Sequence, residues 1–252
     1  MAKRRKKNDA LETLLMMLIT IIQEIIIVIA RLISLIYDLI TFYTSGYKIK
    51  SGNGFFKTYF DKGKYGEFSL YRKVIRIFGK QSVFTNIYLD NRNTETTEID
   101  VLSISSKGIY VFEMKNYAGF IYGSENDQHW TQVFNKRTKH QFYNPLKQNY
   151  AHTKAIQNYL GIEKDVIVPI VVFSNRSKLS KISINPNQHV FQYRNALKYV
   201  KRYEKKQASS ISVDDKEKYM IKLIDKCNMS EDVKTKHIDN IKEMLLAKSN
   251  GQ

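Results

Sequence analysis

The chain has 252 residues, with 41 lysines and arginines against 24 aspartates and glutamates, so its formal net charge is +17. A charge this positive favours polyanionic partners, either nucleic acid or an anionic membrane surface. The single cysteine, Cys227, excludes an intrachain disulfide framework and a cysteine-rich zinc site. The sequence contains neither a Walker-type loop nor a dinucleotide-binding fingerprint, which argues against a nucleotide cofactor.

The N-terminal region combines a basic cluster, within residues 1–10, with an apolar segment over residues 11–43. The apolar segment has no glycine or proline and therefore predicts one long helix. About 33 helical residues span roughly 50 Å, more than the roughly 30 Å hydrocarbon core of a bilayer. We therefore predict a membrane-associated helix. A cleaved signal peptide does not fit, because the segment is too long and no small-residue cleavage site follows it.

A narrow polar stripe runs along this helix, because Glu24, Arg31 and Asp38 recur at intervals of seven residues. A single membrane span could pair these charges with a partner helix, which would produce a helix-mediated oligomer. Alternatively, the helix could lie along the membrane surface with the stripe facing water, or pack on protein. The basic cluster favours a cytoplasmic N-terminus, but lysines beyond the helix weaken that rule, so the side of the following domain stays open.

Residues 44–62 are rich in glycine, which predicts a linker with at most a short helical turn. The apolar spacing then changes to about 3.6 residues and predicts a helix from Lys64 to Phe78, ended by Gly79. Glu67 lies in its first turn, where a carboxylate suits the helix dipole. Residues 83–89 predict a strand, followed by a turn over residues 90–93.

Residues 98–115 predict a β-hairpin, since two apolar runs flank the polar break at residues 105–108. By period-two alternation, Asp100 shares a face with Leu102 and Ile104. On the second strand Glu113 and Lys115 share a face and emerge together at its end. A carboxylate on one strand, beside a carboxylate and an amine on the next, can hold a divalent cation and a water against a phosphodiester.

The segment after the hairpin predicts two further strands, at residues 120–122 and 130–134, with Trp130 in the core. Basic residues then alternate with aromatic ones, which suits either a surface that tracks a nucleic-acid backbone or a solvated loop. The candidate nucleic-acid contacts are Lys136, Arg137, Lys139 and Lys147.

Asn144 and Pro145 predict the start of a helix that carries Gln148 and His152 four residues apart on one face. Gln148 could be a plain surface amide, and His152 is expected to be exposed. Residues 165–173 predict a buried strand in which Pro169 indicates an edge or a bulge. Residues 176–252 predict a basic helical extension, whose last helix begins at Ser230.

The order of these features resembles the nuclease-related domain (NERD) of the PD-(D/E)xK nuclease superfamily. Ile99 stands where the superfamily motif has proline, and the resemblance covers roughly residues 60–165. The residues that carry it are Gly63-Lys64-Tyr65-Gly66-Glu67, Asp100, Glu113-Met114-Lys115, Gly119, Gly123, Trp130 and Asn144-Pro145-Leu146-Lys147-Gln148.

The resemblance implies an α/β fold over residues 63–175, with a restriction-endonuclease-like mixed sheet flanked by helices. It implies that Asp100, Glu113 and the Met114 carbonyl bind Mg²⁺ or Mn²⁺ and that Lys115 orients or activates the attacking water. Glu67 and Gln148 would be accessory residues of the catalytic site.

We therefore predict a metal-dependent nuclease that acts on DNA, located at a membrane as a single-pass or surface-associated protein. The alternative is a catalytically silent, membrane-anchored module for nucleic-acid binding or scaffolding. A third interpretation makes Asp100, Glu113 and Lys115 a structural ion-pair cluster. Close convergence of these three side chains would favour the enzyme, and divergence would favour the other two.

Overall fold

A computed structural model describes residues 2–91, 94–135 and 137–227. The predicted turn at Arg92 and Asn93 and the predicted last helix from Ser230 lie outside these residues. The helices are α1 (Ala2–Thr44), α2 (Tyr47–Ser51), α3 (Phe55–Phe60), α4 (Lys62–Phe78), α5 (Pro145–Leu160), α6 (Tyr193–Lys206) and α7 (Val213–Ile224). The strands are β1 (Val83–Asn91), β2 (Thr94–Ser105), β3 (Gly108–Lys115), β4 (Gly119–Ser124), β5 (His129–Val133), β6 (Lys139–Tyr143), β7 (Ile167–Phe173), β8 (Ser177–Ser183) and β9 (Val190–Gln192).

The chain divides into two units, residues 1–44 and residues 45–252, of which the first is the helix α1. Within α1, residues Glu12–Thr44 are long and apolar enough to cross a bilayer. Thr20 and Thr41 donate their hydroxyls to the carbonyls of Met16 and Tyr37, so these polar groups are satisfied inside the helix itself.

The larger unit is built around a five-stranded sheet in the order β1-β2-β3-β7-β9. The first three strands are antiparallel, whereas β7 pairs in parallel with both β3 and β9. The predicted hairpin forms β2 and β3, with Ser105 paired to Gly108 across a two-residue turn. Pro169 lies in the part of β7 that β9 does not cover, so its missing N–H costs no backbone hydrogen bond on that side.

Helices cover both faces of this sheet. On one face Val111 of β3 packs in a core cluster with Ile156 of α5 and Leu223 of α7. On the other face the Tyr110 ring contacts Phe78 of α4 and Tyr203 of α6, with ring centroids 4.9 and 5.8 Å apart. The predicted α/β class, with an N-terminal apolar helix and C-terminal helices, is confirmed.

A second, four-stranded sheet has the order β6-β5-β4-β8 and is also mixed, because β8 is parallel to β4. Trp130 of β5 is fully buried, as predicted, and stacks on Phe173 of β7 with centroids 6.1 Å apart. A Cβ at Gly123 would lie 2.3 Å from the Trp130 ring, so only glycine fits at this position.

Two segments differ from the predictions. Residues 44–62 contain the helices α2 and α3, and Tyr47 of α2 is buried against Phe68 and Tyr71 of α4. Residues 176–252 begin with β8 and β9, which pair with strands of the two sheets, before the helices α6 and α7. In both segments long-range packing decided the structure, and local composition carries no signal of it.

Candidate active site

The β2–β3 hairpin opens at Asp100. Backbone pairing between the strands ends at Val101 and Phe112. Beyond that pair, Asp100 Oδ2 accepts the backbone N–H of Met114 at 2.9 Å, so a side chain takes the place of a strand carbonyl. The strands no longer exchange main-chain hydrogen bonds here, which leaves room for side chains between them.

The neighbouring strand is irregular at the same level. Asn86 of β1 has a positive φ of 52° and is skipped in the pairing with β2, and Thr85 donates its hydroxyl to the Asp100 carbonyl at 2.6 Å. Ile99 and Leu102 pack in the same core cluster although they are three residues apart. The strict alternation used to predict the face of Asp100 is therefore interrupted at Asp100 itself.

Glu113 and Lys115 share a face of β3, as the alternation predicts, and contact each other directly. Lys115 Nζ lies 2.6 Å from Glu113 Oε1, with the carboxylate side chain 1% and the lysine side chain 15% exposed. The ammonium therefore reaches the surface of the site while its carboxylate partner stays inside.

Helix α5 lies over this face and matches its spacing. Gln148 Oε1 accepts a hydrogen bond from Lys115 Nζ at 2.9 Å, and His152 Nε2 lies 2.9 Å from Glu113 Oε2. Four helical residues rise about 6 Å and two strand residues about 6.6 Å, so one helix turn is in register with two strand positions. Asn144 caps α5 by accepting the Leu146 N–H at 3.0 Å, which sets where the helix begins.

The expectation that His152 is exposed is wrong. It is 3% exposed, and its second ring nitrogen, Nδ1, lies 2.8 Å from Thr97 Oγ1 of β2. The signal that could have identified it was the four-residue spacing from Gln148, which repeats the two-residue spacing of Lys115 and Glu113 on the strand.

Glu67 reaches the site from α4, on the opposite face of the sheet. A Cβ at Gly66 would lie 2.6 Å from the Asn116 Cβ, so glycine permits the close approach of α4 to the end of β3. Burial, followed by the negative charge of Glu98, raises the pKa of Glu67 to about 7.

The carboxyl groups of the two strands titrate in opposite directions. Burial, then the charges of Glu113 and Glu67, raises the pKa of Asp100 well above its ordinary value. Burial alone would also raise the pKa of Glu113, but the hydrogen bond from His152 and the charge of Lys115 outweigh it and lower that pKa. Burial lowers the pKa of Lys115, but the Glu113 carboxylate more than offsets this and raises it.

These side chains line one pocket of about 410 Å³. Glu67, Asp100, Glu113, Lys115 and Gln148 all contribute to its wall, so the structure brings together every residue predicted for the catalytic site.

The donor set of the pocket fits a hard divalent cation. Among the described residues, no group of three or more His, Cys, Asp or Glu side chains is arranged as a preformed metal site. Nevertheless, Asp100 and Glu113 offer carboxylate oxygens, as Mg²⁺ and Mn²⁺ prefer, and Met114 lies in the same wall. Each oxygen of Glu113 has one described partner and keeps a second lone-pair direction for a cation.

Arg176 also lines this pocket, although no sequence pattern singles it out. It lies in the turn between β7 and β8, and its guanidinium donates to the Asn116 carbonyl at 3.2 Å and to Asn116 Oδ1 at 3.0 Å. Because Asn116 follows Lys115 directly, this contact brings a second cation to the rim of the site.

The residues predicted to bind nucleic acid, so far as the structure describes them, lie on different elements. Arg137 lies in the turn between β5 and β6, Lys139 begins β6, and both are exposed. Lys147 lies instead on α5 and donates to the Asn126 carbonyl at 3.1 Å. Lys136 lies outside the described residues. Of the predicted membrane residues on α1, Glu24 and Arg31 are exposed, whereas Asp38 is buried.

Comparison with known proteins identifies the family of this chain. The nuclease-related domain family matches residues 62–174. An uncharacterised protein of Bacillus anthracis is 32% identical over 181 residues, which cover 70% of this chain and 82% of that protein. A crystal structure of a protein of unknown function, AF1548, covers 74% of this chain and 100% of its own length, at 12% identity and a TM-score of 0.32. The chain therefore belongs to the nuclease-related domain family.

Proposed function

We propose that the protein is a membrane-associated, metal-dependent nuclease that hydrolyses phosphodiester bonds of DNA. The observation that carries this proposal is the convergence of Asp100, Glu113 and Lys115 on one pocket, with Gln148 holding the lysine. Two strands and a helix are needed to bring these groups together, and they surround a space open to a substrate.

The electrostatics of the buried carboxyl groups argue against a purely structural ion-pair cluster. Glu67, Asp100 and Glu113 line the pocket together with three cationic side chains, those of Lys62, Lys115 and Arg176. The strongly raised pKa of Asp100 means that its ionised form is costly there without a further cation. Glu67 also has a raised pKa, and carboxyl groups with perturbed pKa values in a cleft are typical of a functional site.

The geometry assigns a task to each residue. Lys115 Nζ, placed between Glu113 and Gln148, can donate a hydrogen bond to the attacking water and offset charge that develops on the phosphorane-like transition state. His152 fixes the orientation of the Glu113 carboxylate. Arg176, at the rim, can contact a neighbouring phosphate of the substrate.

Asp100, Glu113 and the Met114 carbonyl would hold Mg²⁺ or Mn²⁺ in this proposal. The bound ion would polarise the scissile phosphate and lower the pKa of a water. Glu67 would strengthen binding of the cation when ionised, since its charge acts on both Asp100 and the pocket.

The helix α1 would keep the nuclease unit at a membrane. Its exposed charges, Glu24 and Arg31, suit contact with a second copy of the helix in a single span, or with water if the helix lies on the surface.

The test is cleavage by the purified full chain in detergent. Linear, circular and single-stranded DNA, together with an RNA of the same sequence, would be incubated with Mg²⁺ or with a chelator. Lys115→Ala removes the proposed catalytic amine, and Lys201→Ala, an exposed lysine on α6, is the matched control.

We expect cleavage of DNA that requires Mg²⁺, survives Lys201→Ala and is lost with Lys115→Ala. Salt-sensitive binding of DNA without any cleavage would support the catalytically silent module instead. If Lys115→Ala cleaves DNA as the wild type does, the pocket is not the site of cleavage.

A further inference from the structure

The second sheet has one face that the core does not use. On its inner face Ile121 and Trp130 are fully buried. On the opposite face Phe120 of β4 is 41% exposed. Phe134, directly after the end of β5, is 47% exposed and lines the same groove as Phe120. Large aromatic side chains left in water on a sheet otherwise packed against the core indicate a contact surface.

One row of directly paired residues crosses all four strands of this sheet. Lys178 of β8 pairs with Phe120, Phe120 pairs with Val133, and Val133 pairs with Lys139 of β6. Directly paired residues point to the same face, so a lysine stands at each end of an apolar centre. Three interstrand steps separate the two lysines by about 14 Å. We call this row, together with Phe134, the outer face.

The outer face borders a groove of about 610 Å³, lined by described residues that include Phe120, Phe134 and Lys139 but no acidic side chain. Phe134 also lines the catalytic pocket, so the groove and the pocket meet at this ring. Lys178 Nζ lies over the Phe120 ring, 5.7 Å from its centroid, in a cation–π contact.

We propose that the outer face binds single-stranded nucleic acid and leads it into the catalytic pocket, an inference that rests on the proposed nuclease function and specifies its substrate. Unpaired bases stack on Phe120 and Phe134, and the phosphates between them contact Lys139 and Lys178. Stacking platforms bordered by cations bind single strands because every base has an aromatic face. A duplex buries those base faces and can use the lysines alone.

An anionic membrane surface could also attract exposed phenylalanines and lysines. Nucleic acid is the better match, because the outer face is continuous with the pocket where phosphodiester chemistry is proposed. Polar side chains in the next paired row, Tyr122, Thr131 and Gln141, add hydrogen-bonding groups suited to base edges.

The test measures binding of the full chain, in detergent and with a chelator present, to a labelled single-stranded DNA and to the same sequence as a duplex. The variant is Phe120→Ala with Phe134→Ala. The control is Phe60→Ala on α3, which also removes an exposed phenylalanine ring. Phe60 is 76% exposed. Fluorescence anisotropy gives both affinities, and a thermal melt verifies folding.

We expect the double variant to bind the single strand roughly a hundredfold more weakly, as loss of two stacked bases implies, while its duplex affinity changes less than about threefold. Phe120→Trp with Phe134→Trp should restore single-strand binding. A second variant, Lys139→Gln with Lys178→Gln, should reduce the slope of log affinity against log salt by about 1.4, the value for two lost phosphate contacts.

Two results would overturn the proposal. One is equal weakening of single-strand and duplex binding, and the other is unchanged binding to both, which would leave an anionic membrane surface as the partner of the outer face. The proposed nuclease function fails separately, through absence of Mg²⁺-dependent cleavage. Single-strand binding measured with a chelator does not depend on cleavage, so each idea can fail while the other holds.

Discussion

His152 Nε2 lies 2.9 Å from Glu113 Oε2, although 39 positions separate the two residues. Both side chains are almost fully buried, and the other ring nitrogen of His152 contacts Thr97. The Glu113 carboxylate is thus held from one side by His152 and from the other by Lys115. His152 is therefore a positioning residue, since it acts on the site through Glu113.

Replacing His152 should shift the pH dependence of cleavage. His152→Ala removes a hydrogen bond that lowers the pKa of Glu113, so that pKa should rise. The carboxylate is then lost at a higher pH, and the acidic limb of the kcat/KM profile should move upward. Loss of such an orienting partner typically costs about 10- to 100-fold in metal affinity or activity.

His152→Gln should recover part of this loss, because the amide can still donate to Glu113. Lys154→Ala, an exposed position on the same helix, should leave the profile unchanged. An unshifted acidic limb in His152→Ala, with normal folding, would mean that Lys115 alone holds Glu113.

Asp100→Asn should stabilise the protein in the absence of divalent ions. The folded-state pKa of Asp100 is raised, so the wild type loses stability as pH rises from about 4, the unfolded value, toward that folded pKa. Asparagine carries no charge and can still accept the Met114 N–H. Each kcal/mol gained in the free energy of unfolding at pH 7 should raise the Tm by about 2–4 °C.

In the same melts, Mg²⁺ should stabilise the wild type more than it stabilises Asp100→Asn. It should raise the Tm of the wild type by binding only the folded state, and it should raise the Tm of Asp100→Asn much less. Asp165→Asn, at an exposed position, should respond as the wild type does. A variant with the same Mg²⁺ response as the wild type would exclude Asp100 from the cation site.

Binding of the cation should strengthen as pH rises through about 7. Glu67 has a pKa of about 7, so it is neutral below that pH and negatively charged above it. Titration calorimetry with Mn²⁺ at pH 6 and pH 8 should show tighter binding at pH 8 in the wild type. Glu67→Gln should reduce the difference, and an undiminished pH dependence would assign it to another group.

Lys115→Ala should lower the single-turnover rate of DNA cleavage by on the order of a hundredfold to a thousandfold, because its ammonium offsets charge that develops in the transition state. DNA affinity should change little. The variant leaves Glu113 with His152 as its described partner, so circular dichroism and a melt should accompany the rate. A wild-type rate in a folded variant would contradict the catalytic role.

Removal of residues 1–44 should release the protein from membranes. The remaining unit from Ser45 keeps the contacts of Tyr47 with Phe68 and Tyr71, which a later start would disrupt. Cell fractionation should find the full chain in membranes and the shorter chain in the soluble fraction. Equal solubility of the full and the shorter chain would contradict the membrane assignment. Protease access in intact cells would show which side of the membrane the larger unit faces.

Local patterns were sufficient where neighbouring residues decide the structure. The alternation of Glu113 and Lys115 on one strand, the cap at Asn144 and the uninterrupted apolar run of α1 follow from periods of two and 3.6 residues. For the same reason the sequence predicted the hairpin, the start of α5 and the buried Trp130, each of which the structure contains.

Only the tertiary structure decided which groups meet across long separations. His152 is buried because α5 packs on β3, Glu67 reaches the pocket because Gly66 lets α4 approach, and Arg176 arrives from a distant turn. The outer face exists because β8 pairs with β4 and so brings Lys178 beside Phe120. Pairing between strands that are far apart in the sequence depends on the packing of the whole unit, so a local sequence period cannot predict it.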